Sequence, residues 1–228
     1  MIINEKIIEE INGLAEKYKA IPIQKLANKI GINMTAKQSF SLIIKYLLKN
    51  ELSEEAQKIL KENPYDIKTI VLEKYSSLKE SISLPMFKYC DIIKEQWETS
   101  TLRTYLCKRV FIFVIFRYHT SRDCRIETIC PWTMSTAILD KDIKQMWTKT
   151  VDCIRLGHIV KYVDDNGRRH TFFPAASESP YMHVRPHARN SDDTIPLPVP
   201  DVLTGVTSYP KHSFWLNKGF IAKIVNQD

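Results

Sequence analysis

Val110-Phe111-Ile112-Phe113-Val114-Ile115-Phe116 is the longest apolar run in the chain, and it is built from β-branched and aromatic residues that suit a pleated strand. Neighbouring strand residues point to opposite faces, so a run without polar alternation marks a strand covered on both sides, at the centre of a layered fold. Arg125 to Cys130 follows at the distance of a neighbouring strand. Upstream, Tyr65-Asp66-Ile67-Lys68-Thr69-Ile70-Val71-Leu72 follows Pro64 and is again rich in β-branched residues, with a polar turn at Ser76-Ser77 returning it towards Ile82–Leu84.

The opening third reads as helix throughout. Ile7, Ile8, Ile11, Leu14, Ala15 and Tyr18 recur at spacings of three and four, and a second short helix begins at Pro22 and stops at Gly31. Thr35 is expected to cap a third helix with Phe40, Ile43, Ile44, Leu47 and Leu48 inward; Ser53 starts a fourth that ends at Asn63-Pro64. Beyond the central strands, Phe87 to about Leu106 and Ile138 to Leu156 read as helices, the latter closed by Gly157. Asn166-Gly167 between Ile159–Val163 and His170–Phe173 predicts a type I′ hairpin, and a strand through His183 follows. Pro196, Pro198 and Pro200 make a stiff loop, and Phe214 to Val225 is expected to be an amphipathic helix. These elements predict an α+β fold with a mixed β-sheet flanked by helices, as a single domain over 1–228 with a helical subregion at 1–63 and a sheet core at 64–228.

With 228 residues, 44% of them hydrophobic, the chain can bury a sizeable core. Its 33 Lys+Arg against 26 Asp+Glu give a net charge of +7, which favours a polyanionic partner. The five cysteines form no C-x-x-C pair and are odd in number, which points to reduced thiols rather than a zinc ribbon or a disulfide framework. Neither a signal peptide nor a membrane-spanning run is visible, so a cytoplasmic location is expected.

Two regions carry candidate chemistry. Asp66-Ile67-Lys68 puts an acid and a lysine on one strand face, as metal-dependent nucleases require; a solvated strand face explains the same tripeptide, and a working site needs further carboxylates. In the C-terminal third, His183-Val184-Arg185-Pro186-His187-Ala188-Arg189-Asn190 brings Arg185, His187 and Arg189 at period two, with Pro186 suggesting that the strand ends or lies at an edge. Arginine's planar donor fork fits phosphate or the guanine edge, although a solvated edge strand would read alike. His183, His187 and His212 lack a cysteine or carboxylate at ligand spacing, which argues against zinc and leaves no metal residues assigned. Trp97, Trp132 and Trp147 lie on apolar stripes as core residues; Trp215 suits either a core or a stacking role.

The chain resembles the MutH-like endonucleases, which include the mismatch-repair nicking enzyme and the Sau-type restriction endonucleases that cut GATC. Asp66-Ile67-Lys68-Thr69-Ile70 is similar to the family's catalytic strand, normally Glu-Leu-Lys-Thr-Ile, and Leu78-Lys79-Glu80-Ser81 fits its return segment. Val184-Arg185-Pro186-His187 resembles the stretch that reads GATC, and Tyr209 with Lys211 and Phe214 the segment that approaches the adenine. Phe214-Trp215-Leu216-Asn217-Lys218 is similar to the Sau-type enzymes. The resemblance implies double-stranded GATC DNA as partner, with Lys37, Arg185, Pro186, His187, Arg189, Tyr209, Lys211 and Lys218 on the DNA side.

The nuclease centre departs from the pattern. The family's first carboxylate falls at Lys45, and the metal-binding aspartate expected seven residues before Asp66 falls at Ile59. Asp66 and Lys68 remain as degenerate remnants, and a lysine in place of a metal carboxylate repels Mg²⁺. The resemblance therefore implies the non-cleaving, DNA-binding half of a Sau-type enzyme, which acts as an effector of an N-terminal catalytic domain and needs no cofactor to bind. The alternatives are a complete Mg²⁺-dependent endonuclease or nickase that recruits Glu54 or Glu55, and an interaction module that has lost DNA binding.

Overall fold

The computed structural model describes residues 3–36 and 38–226. In chain order the elements are α1 (Glu5–Tyr18), α2 (Ile23–Lys29), α3 (Ser39–Asn50), α4 (Glu54–Glu62), β1 (Tyr65–Leu72), β2 (Ile82–Phe87), α5 (Tyr89–Ile92), α6 (Thr101–Cys107), β3 (Val110–Thr120) and β4 (Asp123–Trp132). They continue with α7 (Thr136–Ile138), α8 (Lys144–Arg155), β5 (Val160–Val163), β6 (Arg169–Thr171), β7 (Met182–Pro186), β8 (Thr194–Pro196), β9 (Ser208–Pro210), β10 (His212–Leu216) and α9 (Lys218–Asn226). The chain groups into two compact units, one of Met1–Lys79, Lys108–Thr133 and Ala222–Asp228, the other of Glu80–Cys107 and Met134–Ile221. The helical subregion 1–63 thus shares its unit with β1, β3 and β4.

In the first unit the sheet order is β1-β3-β4, with β1 parallel and β4 antiparallel to β3. The mixed sheet and its flanking helices match the α+β expectation, and β3 is central, as its unbroken apolar run requires. Val110, Ile112, Val114 and Phe116 alternate onto the core shared with α1–α4. Phe111 and Phe113 point to the other face and pack against Trp132, at ring separations of 5.8 and 6.1 Å. Asn4 caps α1, its Oδ1 accepting from Ile7 N at 3.0 Å, while Ser53 caps α4. Thr35 is not the cap of α3: its amide and hydroxyl both donate to Asn33 Oδ1 in a preceding turn, and the helix begins at Ser39.

The second unit is built on the antiparallel sheet β2-β10-β7. The helix expected over Phe214–Val225 therefore opens as strand, through Leu216. His212, Ser213, Phe214 and Leu216 are buried, and β10 has a backbone partner on each side, so ladder hydrogen bonds outweigh the helical periodicity until α9 starts at Lys218. The helix expected over Phe87–Leu106 is also interrupted: a 3-10 turn at Trp97–Thr99 separates α5 from α6, and Ser100 Oγ accepts from Arg103 N at 3.2 Å to restart the helix. A π-helical turn, Leu139–Ile143, joins α7 to α8 and lets Leu139 and Ile143 both face inward.

The β5–β6 hairpin carries a five-residue connection, 164–168, in place of a two-residue type I′ turn. The Asp164 carboxylate explains the difference, since its Oδ1 accepts from Asn166 N at 3.0 Å and Arg168 N at 2.8 Å and closes the loop from its side chain. A second carboxylate organises the proline loop. Asp201 is 1% exposed, and its Oδ2 accepts from Ile159 N and Val160 N while Oδ1 accepts from Thr204 N and Thr204 Oγ1. Burial pushes this carboxyl up, but the combined hydrogen bonds hold it below its ordinary value. The five cysteines are unpaired.

Candidate nucleic-acid interface

In the first unit, β1 presents the expected acid-x-lysine pair. Lys68 Nζ lies 3.6 Å from Asp66 Oδ2, so the period-two reading of that tripeptide holds. Arg109, just before β3, was not anticipated: its Nη1 donates to Asp66 Oδ1 at 3.2 Å. The register Tyr65↔Val110 sets this meeting, because parallel pairing brings the residue preceding Val110 to the start of β1. Burial lowers the Lys68 ammonium from its ordinary value, Asp66 draws it back up, and Arg109 lowers it again.

The other nuclease positions do not complete a metal site. Lys45 is exposed on α3, and Ile59 on α4 packs against the hydrophobic core. Glu54 and Glu55 occupy the first turn of α4, both exposed, with Glu55 paired to Lys6 at 2.8 Å. Among the described residues no group of three or more His, Cys, Asp or Glu side chains could hold a metal ion. A lone carboxylate already bracketed by two cations does not fit Mg²⁺, which binds through several oxygens. Lys37, expected on the DNA side, lies outside the described residues.

In the second unit, β7 and β10 pair Arg185 with Ser213 and His183 with Trp215. Directly opposed residues share a face of a sheet, so His183, Arg185, Ser213 and Trp215 line one side. The opposite side carries Met182, Val184, Phe214 and Leu216, all buried. Arg185 is exposed, and its guanidinium lies over the Trp215 ring at 4.7 Å. His187 extends the same side: its amide donates to Lys211 O at 2.8 Å, its Nδ1 is 3.3 Å from Ser213 Oγ, and its ring is 5.8 Å from that of Trp215.

The strand pattern stops there. β7 ends at the exposed Pro186, which has no amide hydrogen to extend a ladder, so Arg189 lies beyond the strand in a bend, where its amide donates to Asp193 Oδ2. The period-two expectation thus holds for Arg185 and His187 but not for Arg189, whose side chain is exposed. Lys211 is ion-paired with Asp193, and its partnership holds that carboxyl below the usual range. Lys218 is exposed at the first turn of α9.

Tyr209 is interior: it is 3% exposed on β9, and burial pushes its phenol up to about 12. Its ring stacks on His212 at 5.6 Å, and the guanidinium of Arg169, on the β5–β6 hairpin, lies 5.8 Å from its centroid. The three histidines considered for zinc are engaged separately, His183 with Asn217, His187 with Ser213, and His212 with Tyr89 and Pro210. Sequence reasoning missed Arg109, Arg169 and the role of Trp215, since each depends on pairing between distant segments.

Two sequence comparisons bear on this chain. Residues 47–145 match the family described as DNA mismatch repair enzyme MutH. The type II restriction enzyme Sau3AI of Staphylococcus aureus is 25% identical across 98% of this chain and 52% of its own length. The chain thus spans about half the length of the curated relative it matches. No helix among the described residues is long and apolar enough to cross a membrane. Over these residues the chain is similar to the MutH-like endonucleases, and its mixed α+β architecture is consistent with that likeness.

Proposed function

We propose that the chain binds double-stranded DNA at GATC sequences without cutting it, and serves as the effector half of a type II restriction endonuclease whose catalytic half is a separate domain. The observation that carries this reading is the contrast between the two units. The β7–β10 face keeps an exposed arginine beside two aromatic rings, while the acid of the β1 strand is bracketed by Lys68 and Arg109. An arginine fork can meet both acceptors of a guanine edge, whereas a net-cationic pocket opposes Mg²⁺ and suits a phosphate. Binding in this account needs no cofactor, and the GATC-bound state would raise the activity of the catalytic half on a second site.

The experiment is a gel shift with a GATC duplex and a scrambled duplex in Mg²⁺ buffer, followed by denaturing electrophoresis of the bound DNA. Preferential retention of GATC with both strands intact supports the reading. Metal-dependent cutting that Lys68→Ala abolishes would favour a complete nuclease, and equal weak binding to both duplexes would favour an interaction module.

A further inference from the structure

We infer that Trp215 is a positioning residue for sequence readout, acting as the platform that holds the Arg185 guanidinium flat against the β7–β10 face. The inference rests on the reading of that face as the GATC reader, and it assigns the specificity to a stacked pair rather than to an arginine alone.

Three observations on the sheet carry it. First, the register places Trp215 diagonal to Arg185, opposite His183 and two pairs along from Ser213↔Arg185, so the two long side chains meet across the strands on the same face. Second, the guanidinium sits 4.7 Å from the ring centroid, within the range where the π face attracts a cation. Third, Trp215 Nε1 is buried and is without a hydrogen-bond partner among the described residues. An unmet indole N–H costs stability that phenylalanine at the same position would avoid. The indole's return on that cost is its larger, more electron-rich face, which is the face turned to Arg185.

The consequence is preorganisation. A free arginine samples many rotamers, and ordering it on contact with a base opposes binding. A guanidinium held over the ring has fewer rotamers open to it, so less freedom is lost when its donors meet a base. His187, with its ring against the same indole and Nδ1 towards Ser213 Oγ, borders the stack on the β7 side. Phosphate oxygens and the guanine edge can both accept the fork in pairs, but only the guanine edge changes with sequence, so a fixed fork bears on discrimination where it meets a base. Trp215 should therefore control discrimination more than overall affinity.

The test measures the ratio of affinities for GATC and scrambled duplexes by fluorescence anisotropy, for the full chain and for Trp215→Ala, Trp215→Phe, Arg185→Ala and the Trp215→Ala/Arg185→Ala double variant, with circular dichroism melts as a folding control. The expected result is a ratio reduced about five- to tenfold by Trp215→Ala, less so by Trp215→Phe, and no lower in the double variant than in Arg185→Ala. Should Trp215→Ala not fold, Arg185→Lys supplies the second readout, because it keeps the charge but loses the planar fork; it should lose the ratio as fully as Arg185→Ala. An undiminished ratio in folded Trp215→Ala, or in Arg185→Lys, overturns the inference, as does a double variant in which the two single losses multiply. A wild-type chain without GATC preference defeats the proposed function itself and is distinguishable from all of these.

Discussion

Arg109 Nη1 lies 3.2 Å from Asp66 Oδ1 while Lys68 approaches the other carboxylate oxygen, so the acid of the β1 strand is held between two cations. A divalent metal arriving at Asp66 would meet two positive charges at close range, and no cluster of carboxylates stands ready among the described residues to offset them. Isothermal titration with Mg²⁺ should give no saturable binding at millimolar metal, in the wild type or in Arg109→Ala. Ile59→Asp, which restores the family's aspartate, should cost about 1–3 kcal/mol, because that side chain packs against the core of the first unit. Submillimolar Mg²⁺ binding by the wild type, or an unchanged melting temperature for Ile59→Asp, contradicts this.

The proline loop should be the weak point of the second unit. Asp201→Ala leaves the amides of Ile159, Val160 and Thr204 without their acceptor and should cost about 1–3 kcal/mol. Gly157→Ala should also destabilise, by more than about 1–2 kcal/mol, since its φ is 68° and an added Cβ would meet Pro200 O at 2.6 Å. Urea unfolding of each variant measures both, and a loss below 1 kcal/mol (roughly the cost of an ordinary surface change) counts against the Asp201 account.

Acid stability should be governed in part by His212, 2% exposed among Tyr89, Tyr209 and Phe173, whose imidazole burial lowers to about 4. A histidine whose folded pKa lies below its unfolded value stays neutral in the fold and takes up a proton on unfolding. Its contribution is full above about pH 6.5 and is lost as pH falls towards about 4, by at most about 3 kcal/mol. His183, also lowered by burial, adds in the same direction. Melting temperatures from pH 7 to 4 should fall more steeply for the wild type than for His212→Gln; parallel curves would mean that His212 titrates alike in both states.

Strand β3 and the N-terminal helices were legible because their apolar spacing is a local property that packing merely uses. The turn type of the hairpin at 164–168 and the strand at His212–Leu216 were not. In the first, the Asp164 side chain overrides the turn preference of Asn166-Gly167, and in the second, hydrogen bonds to two distant strands decide the conformation. The same distinction runs through the candidate site. Asp66 with Lys68, and Arg185 with His187, are close in sequence and could be read; Arg109 reaches Asp66, and Trp215 reaches Arg185, only through strand pairing.

Salt dependence should separate paired from available cations. Lys211 is already neutralised by Asp193, so Lys211→Ala should leave the slope of log K against log salt nearly unchanged. Arg189→Ala and Lys218→Ala, which remove exposed charges, should each flatten it by about 0.9. Equal flattening by all three would show that the ion pair opens on DNA.

The central claim is sequence-specific binding without cutting, and the most direct measurement is an anisotropy titration of the wild type and Arg185→Ala against GATC, adenine-methylated GATC and scrambled duplexes in Mg²⁺ buffer. The account predicts that the wild type prefers GATC and leaves it intact, and that Arg185→Ala loses about 1–3 kcal/mol on GATC but far less on the scrambled duplex. Tyr209→Phe is the companion control, since Tyr209 is buried and its hydroxyl is not presented to a duplex; it should leave discrimination of the methylated site unchanged. Equal losses on all three duplexes, or cleavage of the GATC strand by the wild type, would contradict the account.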